Sequence, residues 1–418
     1  MAAQADSGAI AGSGRDRAAL RANLRRAGRR RKLRAYGLIA PLFLFLFAFF
    51  LLPIGAVLYF SVANDEVIDY LPRVTAELRQ WDGREVPGEA AFAALAADFR
   101  QAFAERTLPR VATRLNYEIP RVNRMLMRAG SAAAGFKPPY KAAVLALEPR
   151  WGELEYWQVL RRNGSPLTAH YLLKAVDLER TPDGAIVRMP EDTRLYLDNL
   201  ERTLWIAFVV TALSVLLGYP VAFLIATASP RRAQLLILLV LLPFWTSLLV
   251  RTAAWVVLLQ KAGVVNSTLL AFGLIDEPLT LIFNRTGVYV AMVHILLPFM
   301  ILPLYSVMKG IPPEHMRAAA SLGARPWAAF ATVYLPQTMP GLAAGCLLVY
   351  VIALGFYVTP ALVGGGSDQM LADLIAGFAT GTANWGLAAA LAVLLLACIA
   401  VIYPVYQRFA GAGGLKLG

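Results

Sequence analysis

The sequence predicts an all-α membrane protein of six transmembrane helices, with a large extracytoplasmic insertion between the first and the second. Three observations carry this. Apolar residues make up 58% of the 418 and charged ones 16%, against roughly 45–50% and about 25% in an average soluble domain. They fall in unbroken runs rather than alternating patterns, and a single soluble core stops growing at about 250–300 residues. The net charge of +13 is unevenly placed: residues 63–198 hold 19 basic and 19 acidic side chains, so the excess lies wholly outside that stretch.

Residues 1–35 are a basic tail rich in Ala, Gly and Arg. The first span is read at 36–62. Its apolar run from 38 to 62 reaches about 37 Å as a helix, more than the hydrocarbon core of about 30 Å. It also exceeds the apolar region of a cleaved signal peptide, about 7–15 residues. Further runs at 204–228, 235–259, 288–308, 342–363 and 387–406 complete the six. Short loops rich in Lys and Arg face the cytoplasm. Ten such residues lie between Arg15 and Arg34; Arg231 and Arg232 separate spans two and three, and Lys309, Arg317 and Arg325 separate spans four and five. With Arg408 and Lys416 they place both termini, including a C-terminal tail at 409–418, on that side. The basic excess is therefore a topology signal that meets anionic membrane lipid, and nucleic acid is not an expected partner.

The insertion, 63–198, is long enough for one folded domain. Its turn signals are Pro87-Gly88, Pro138-Pro139, Asn163-Gly164 and Pro182-Asp183-Gly184. Helix is expected at 90–105 and 141–162, where apolar residues recur at three and four. Trp81, Trp151, Tyr156, Trp157 and Tyr171 set it apart from a disordered linker. The membrane core then occupies 199–408.

Enzyme chemistry is not expected. With His170, His294 and His315 the only histidines, no metal-binding spacing exists, and no phosphate-binding glycine loop or nucleophile elbow is present. No cofactor or metal is implied. Cys346 and Cys398 both lie in apolar runs and do not suggest a disulfide scaffold. Of the groups that relay protons in a self-sufficient carrier, only His294 lies in a span, and it reads as a histidine hydrogen-bonded within the bundle.

Arg251 is the unusual membrane charge, costing about 2.5–3.5 kcal/mol at a span centre. On a helix Trp245, Thr252 and Trp255 project together with Arg251 flanking them. Two readings stand: Trp245, Arg251 and Trp255 line a solute pathway, or Arg251 bonds carbonyls freed below Pro243. Gly341 and Gly345 form a G-x-x-x-G pattern, for which packing within the chain is favoured over packing against a partner.

The loop 309–340 carries most information. Pro312-Pro313 opens a helix, Glu314 lies in its first turn, three alanines slim it, and Gly323 suits the left-handed position that ends it. A short rigid helix held between two membrane helices can slot into a partner's groove or lie on the lipid headgroups.

The run Arg317-Ala318-Ala319-Ala320-Ser321-Leu322-Gly323-Ala324, followed by Leu335-Pro336-Gln337-Thr338-Met339-Pro340-Gly341, resembles the E-A-A-x-x-L-G-A … L-P-x-x-x-P-G signature of binding-protein-dependent ABC importer permeases. Residues 243–255, Gly218-Tyr219-Pro220-Val221-Ala222 and Leu296-Leu297-Pro298-Phe299-Met300 are similar to the spermidine/putrescine-type subgroup. The resemblance implies the type I ABC importer permease (MetI-like) fold in a bacterial inner membrane. It implies a solute pathway for a polyamine-like molecule, or an amino acid, opine or sugar, delivered by a periplasmic solute-binding protein. It also implies two partners: cytoplasmic ABC ATPase subunits that hydrolyse ATP, and a second permease subunit, either a different chain or a copy of this one. By motif position Ala318, Ala319, Leu322 and Gly323 contact the ATPase. Arg317 stands where the family has glutamate, so the polar contact falls to Arg317 or to Glu314 one turn earlier. The insertion resembles in placement the outer loop by which maltose-type permeases touch their binding protein.

Overall fold

The structure, a computed structural model, describes residues 36–181 and 183–411, apart from the side chains of Val405 and residues 407–411. The basic tail at 1–35 and residues 412–418 lie outside the described residues. Six of the described helices are long and apolar enough to cross a membrane. The chain divides into a short unit ending at Tyr59 and a large unit from Phe60 onward.

The short unit consists of α1 (Tyr36–Phe60), whose apolar side chains are exposed along its length, as lipid contact requires. Pro53 has no N–H to give, and its ring crowds the carbonyl four residues back. Just ahead of it the helix widens into a π turn at Phe47–Leu51, where the Leu52 N–H reaches Phe47 O.

The large unit has two apolar cores. One is built by the insertion helices α2 (Asp65–Tyr70), α3 (Pro72–Gln80), α4 (Glu89–Ala104), α5 (Leu108–Asn116), α6 (Val122–Ala132), α7 (Tyr140–Leu147) and α8 (Leu154–Arg162). The helix expected at 90–105 is α4. The one expected at 141–162 is interrupted by a 3-10 turn at Pro149–Gly152, because Pro149 cannot continue the ladder. Phe92, Phe99, Trp151 and Trp157 interlock at ring-centroid distances of 4.7–5.7 Å. Asp98, buried among them, accepts the Val74 N–H at 2.8 Å and pins α3 to α4. Entry and exit of this core are clasped together. The Asn64 amide donates to Asn163 O (3.1 Å) and Ser165 O (2.9 Å), the Asn64 N–H to Pro166 O (3.0 Å), and the Thr168 N–H to Val62 O (2.7 Å).

The chain leaves the insertion through α9 (His170–Ala175) and the antiparallel pair β1 (Leu178–Arg180) and β2 (Ile186–Arg188). The second core follows: α10 (Tyr196–Thr227), α11 (Pro230–Leu241), α12 (Leu248–Leu259), α13 (Val264–Ala271), α14 (Arg285–Lys309), α15 (Pro313–Ser321), α16 (Pro326–Leu354), α17 (Val358–Val363), α18 (Leu371–Ala376) and α19 (Trp385–Gly411). Asp177 caps α10 from outside the helix, accepting the backbone N–H groups of Leu195, Tyr196 and Leu197 at 2.8–3.2 Å. The most buried of the spans is α14, flanked by α10 and α16. A Cβ on Gly341 would sit 2.9 Å from Val307 Cβ, and one on Gly345 2.8 Å from Met300 Sδ. The G-x-x-x-G pattern thus packs α16 onto α14 of the same chain.

Two spans differ from the sequence reading. The run at 235–259 is not one helix: a 3-10 turn at Leu242–Trp245 ends α11, and Ser247 starts α12 by accepting the Val250 N–H at 3.2 Å. The membrane-length stretch is instead Leu248–Ala271. The fifth span begins at Pro326, inside the segment read as loop, and ends at Leu354. Pro336 and Pro340 do not break it, since the former lies just past a π turn at Phe330–Tyr334, where the Leu335 N–H bonds Phe330 O. The connection between α14 and α16 is correspondingly shorter than 309–340.

Candidate functional site

The helix between α14 and α16 is built from its ends inward. Pro312 and Pro313 fix its first turn without wasting an N–H. At its end Gly323 has φ +83°, its N–H donates to Ala320 O (3.0 Å), and the Ala324 N–H donates to Ala319 O (3.1 Å), a Schellman closure. Glu314, Arg317, Ala318, Leu322 and Gly323 are all exposed, and Leu322 is 89% exposed. Ala319, on the same helix, is buried within its own chain. Glu314 and Arg317, both solvated, lie 4.0 Å apart across one turn. His315 Nδ1 and Gln337 Oε1, 2.7 Å apart, tie α15 to the base of α16.

Two interruptions adjoin the spans, one between α11 and α12, ahead of Leu248–Ala271, and one at Gly355–Tyr357 between α16 and α17, past the end of Pro326–Leu354. The interruptions meet through Thr252 Oγ1 and Thr359 Oγ1 at 3.1 Å, both fully buried. Trp255, one turn past Arg251, donates its indole N–H to His294 Nδ1 at 3.1 Å, so His294 is bonded within the bundle. Arg251 is half-buried and its Nε, fully enclosed, has no hydrogen-bond partner among the described residues. Trp245 lies outside α12, at the end of the 3-10 turn before it, and is 72% exposed.

Residues at the insertion end escape the sequence reading. Tyr171 of α9 lies against the start of α19, where a Cβ on Gly386 would come within 2.3 Å of its ring. The Arg114 guanidinium covers the same ring at 5.1 Å, bonds Asn64 Oδ1 at 2.8 Å and pairs with Glu118 at 2.9 Å. Arg162 also pairs with Glu118, and His170 lies 3.9 Å from it. Burial alone would raise the Glu118 pKa, but Arg114, His170 and Arg162 together hold it at about 2. Burial, reinforced by the same arginines, lowers His170 to about 3 against the pull of Glu118. The only local signal was the Arg114/Glu118 spacing of four; its partners come from 50 residues away. Two clefts of about 470 and 690 Å³ meet at Glu66, Tyr171, Trp385 and Gly386.

The family described as the binding-protein-dependent transport system inner membrane component matches residues 203–411. The insertion lies outside that match. The spermidine/putrescine transport system permease protein PotB of Haemophilus influenzae is 35% identical over 214 residues, covering 51% of this chain and 75% of the relative. PotB of Escherichia coli is 34% identical over 214 residues, covering 51% and 78%. Among solved structures, a bacterial alginate ABC transporter bound to a periplasmic protein loaded with alginate pentasaccharide matches with a TM-score of 0.41 at 19% identity, over 51% of this chain and 77% of that one. The family match and the two relatives settle the class: this chain belongs to the binding-protein-dependent inner-membrane transport components, as a multi-pass permease of an ABC importer.

Proposed function

We propose that this permease passes a polyamine-class solute, received from a periplasmic binding protein, and that ATP hydrolysed on separate cytoplasmic subunits drives it. The basic tail and α15 then lie on the cytoplasmic side, the insertion meets the binding protein on the other, and a second permease subunit completes the pathway. The observation that carries the energy coupling is α15 itself: a short capped helix, bracketed by α14 and α16, that holds Leu322 in solvent. Leaving a leucine so exposed costs solvation that a partner's groove recovers. Movement of α15 as a rigid body turns α14 and α16 with it, exchanging outward-open and inward-open states. Identity of 34–35% to the two PotB permeases supports the solute class.

A solute bearing a carboxylate is the second reading, favoured by Arg251, whose Nε lacks a partner beside the helix interruptions. The test is uptake in proteoliposomes holding this chain, its second permease and ATPase subunits, with the binding protein outside and ATP inside. Uptake of labelled spermidine or putrescine supports the first reading. Uptake of a carboxylate-bearing solute alone selects the second. Crosslinking from Leu322→Cys to the ATPase tests the docking, and a complex lacking that crosslink overturns it.

A further inference from the structure

The covalent connections of α15 run to α14 and α16, and α10, which packs against both, has no covalent link to α15. A noncovalent bridge spans that gap. Trp327 and Phe330 stack at 5.5 Å with 17° between their planes, and Phe330 and Tyr334 at 5.7 Å and 23°. Phe223, from the last turns of α10, meets this stack edge-on: 5.9 Å and 89° against Phe330, 5.4 Å and 88° against Tyr334. Tyr219, one turn earlier, meets Phe330 at 6.2 Å and 88°, and its hydroxyl lies 3.1 Å from Thr338 Oγ1. Edge-to-face pairs place the positive rim of one ring on the negative face of another and hold a definite angle. We propose that this stack, with Phe223 and Tyr219 as positioning residues, carries the movement of α15 into α10.

Two further features fit that role. The stack is mounted on the π turn Phe330–Tyr334, next to Pro336, and relaxation of a π turn to α geometry shifts the register of the downstream helix by one residue. Such a change would carry the rings on that turn past α10 by one residue. Space for the exchange is present: a cavity of about 460 Å³ lies under α15, bounded by Phe223, Phe330, Tyr334, Met316 and Pro313.

The inference rests on ATPase docking at α15 and is tested in the same reconstituted complex. Phe223→Leu keeps apolar volume and removes both edge-on pairs. The expected result is an assembled complex whose ATP hydrolysis still responds to the binding protein, while solute moved per ATP falls about tenfold, the equilibrium effect of losing two ring pairs. Phe223→Tyr, which keeps the ring, restores the ratio. A Phe223→Leu complex that transports with the parental ratio overturns the proposal, as does a Phe223→Tyr complex as uncoupled as the leucine variant. Loss of ATPase binding in Phe223→Leu also overturns it, since the stack would then support docking rather than transmission. Should Phe223→Leu not fold, Phe330→Leu and Phe330→Tyr carry the same comparison from the other side of the contact. Failure of docking itself shows in the parental complex, before any variant is made.

Discussion

At Gly386 a single hydrogen stands between two parts of the molecule. An added methyl would overlap the Tyr171 ring at 2.3–2.7 Å, so Gly386→Ala forces the ring aside and is expected to lower the melting temperature of the purified permease. Adding Tyr171→Ala to it should cost less than the sum of the two single changes, because the overlap is then gone. Gly323 differs in kind. Its surroundings are open, and only its φ of +83° resists a side chain, so Gly323→Ala strains the Schellman turn by about 1 kcal/mol without a clash. Its expected effect is weaker ATPase co-purification with unchanged permease yield. Arg251→Ala should impair uptake while folded protein remains, measured by proteoliposome transport and size-exclusion profile; unchanged uptake removes Arg251 from the pathway. Of these residues, Gly323 and Arg251 were legible because each conflicts with its own neighbourhood, a glycine closing an alanine helix and a charge in an apolar run. Gly386 was not, since its constraint comes from a ring more than two hundred positions earlier.

Elements were legible where periodicity and punctuation agreed. α15, with two prolines before it and a glycine after it, lies where the sequence puts it. The run at 235–259 misled because hydropathy is uniform across a break that Pro243 and Ser247 make by backbone geometry and capping. The start of α16 misled in the opposite sense: the apolar run begins at 342, but the helix begins at Pro326 and passes Pro336 just after a π turn. In the insertion, the element-level property is acid sensitivity of the α5–α8–α9 junction. The folded form holds His170 at about 3, below its ordinary 6.5, so it binds fewer protons than the unfolded chain between those values. Glu118, held at about 2 against 4.5, acts in the same direction at lower pH. Stability is therefore full above about pH 6.5 and declines as pH falls toward 3. Hydrogen-exchange protection factors of residues 108–175 in the detergent-solubilised chain, corrected for the intrinsic pH dependence of amide exchange, should fall progressively over that window, and His170→Gln should flatten the upper part of the response.

On the scale of the whole molecule, six membrane-length helices among the described residues followed from hydropathy, while the order of packing did not. That α14 sits between α10 and α16 depends on glycines whose partners lie on other helices, and no linear pattern names those partners. The insertion contributes its own apolar core between Val67 and Leu160, so it is expected to be separable from the bundle. Replacing residues 65–162 with a short Gly-Ser link should leave the spans folded and the ATPase bound, with ATP hydrolysis no longer stimulated by the binding protein. Retained stimulation would assign the docking surface to the bundle instead.

The clasp at Asn64 bears on how a push from outside travels. Because the neck of the insertion is held shut by hydrogen bonds from Asn64 to Asn163, Ser165 and Pro166, its entering and leaving segments are tied to move together when the domain is displaced. The tyrosine seated on Gly386 then couples that displacement to the start of the last span.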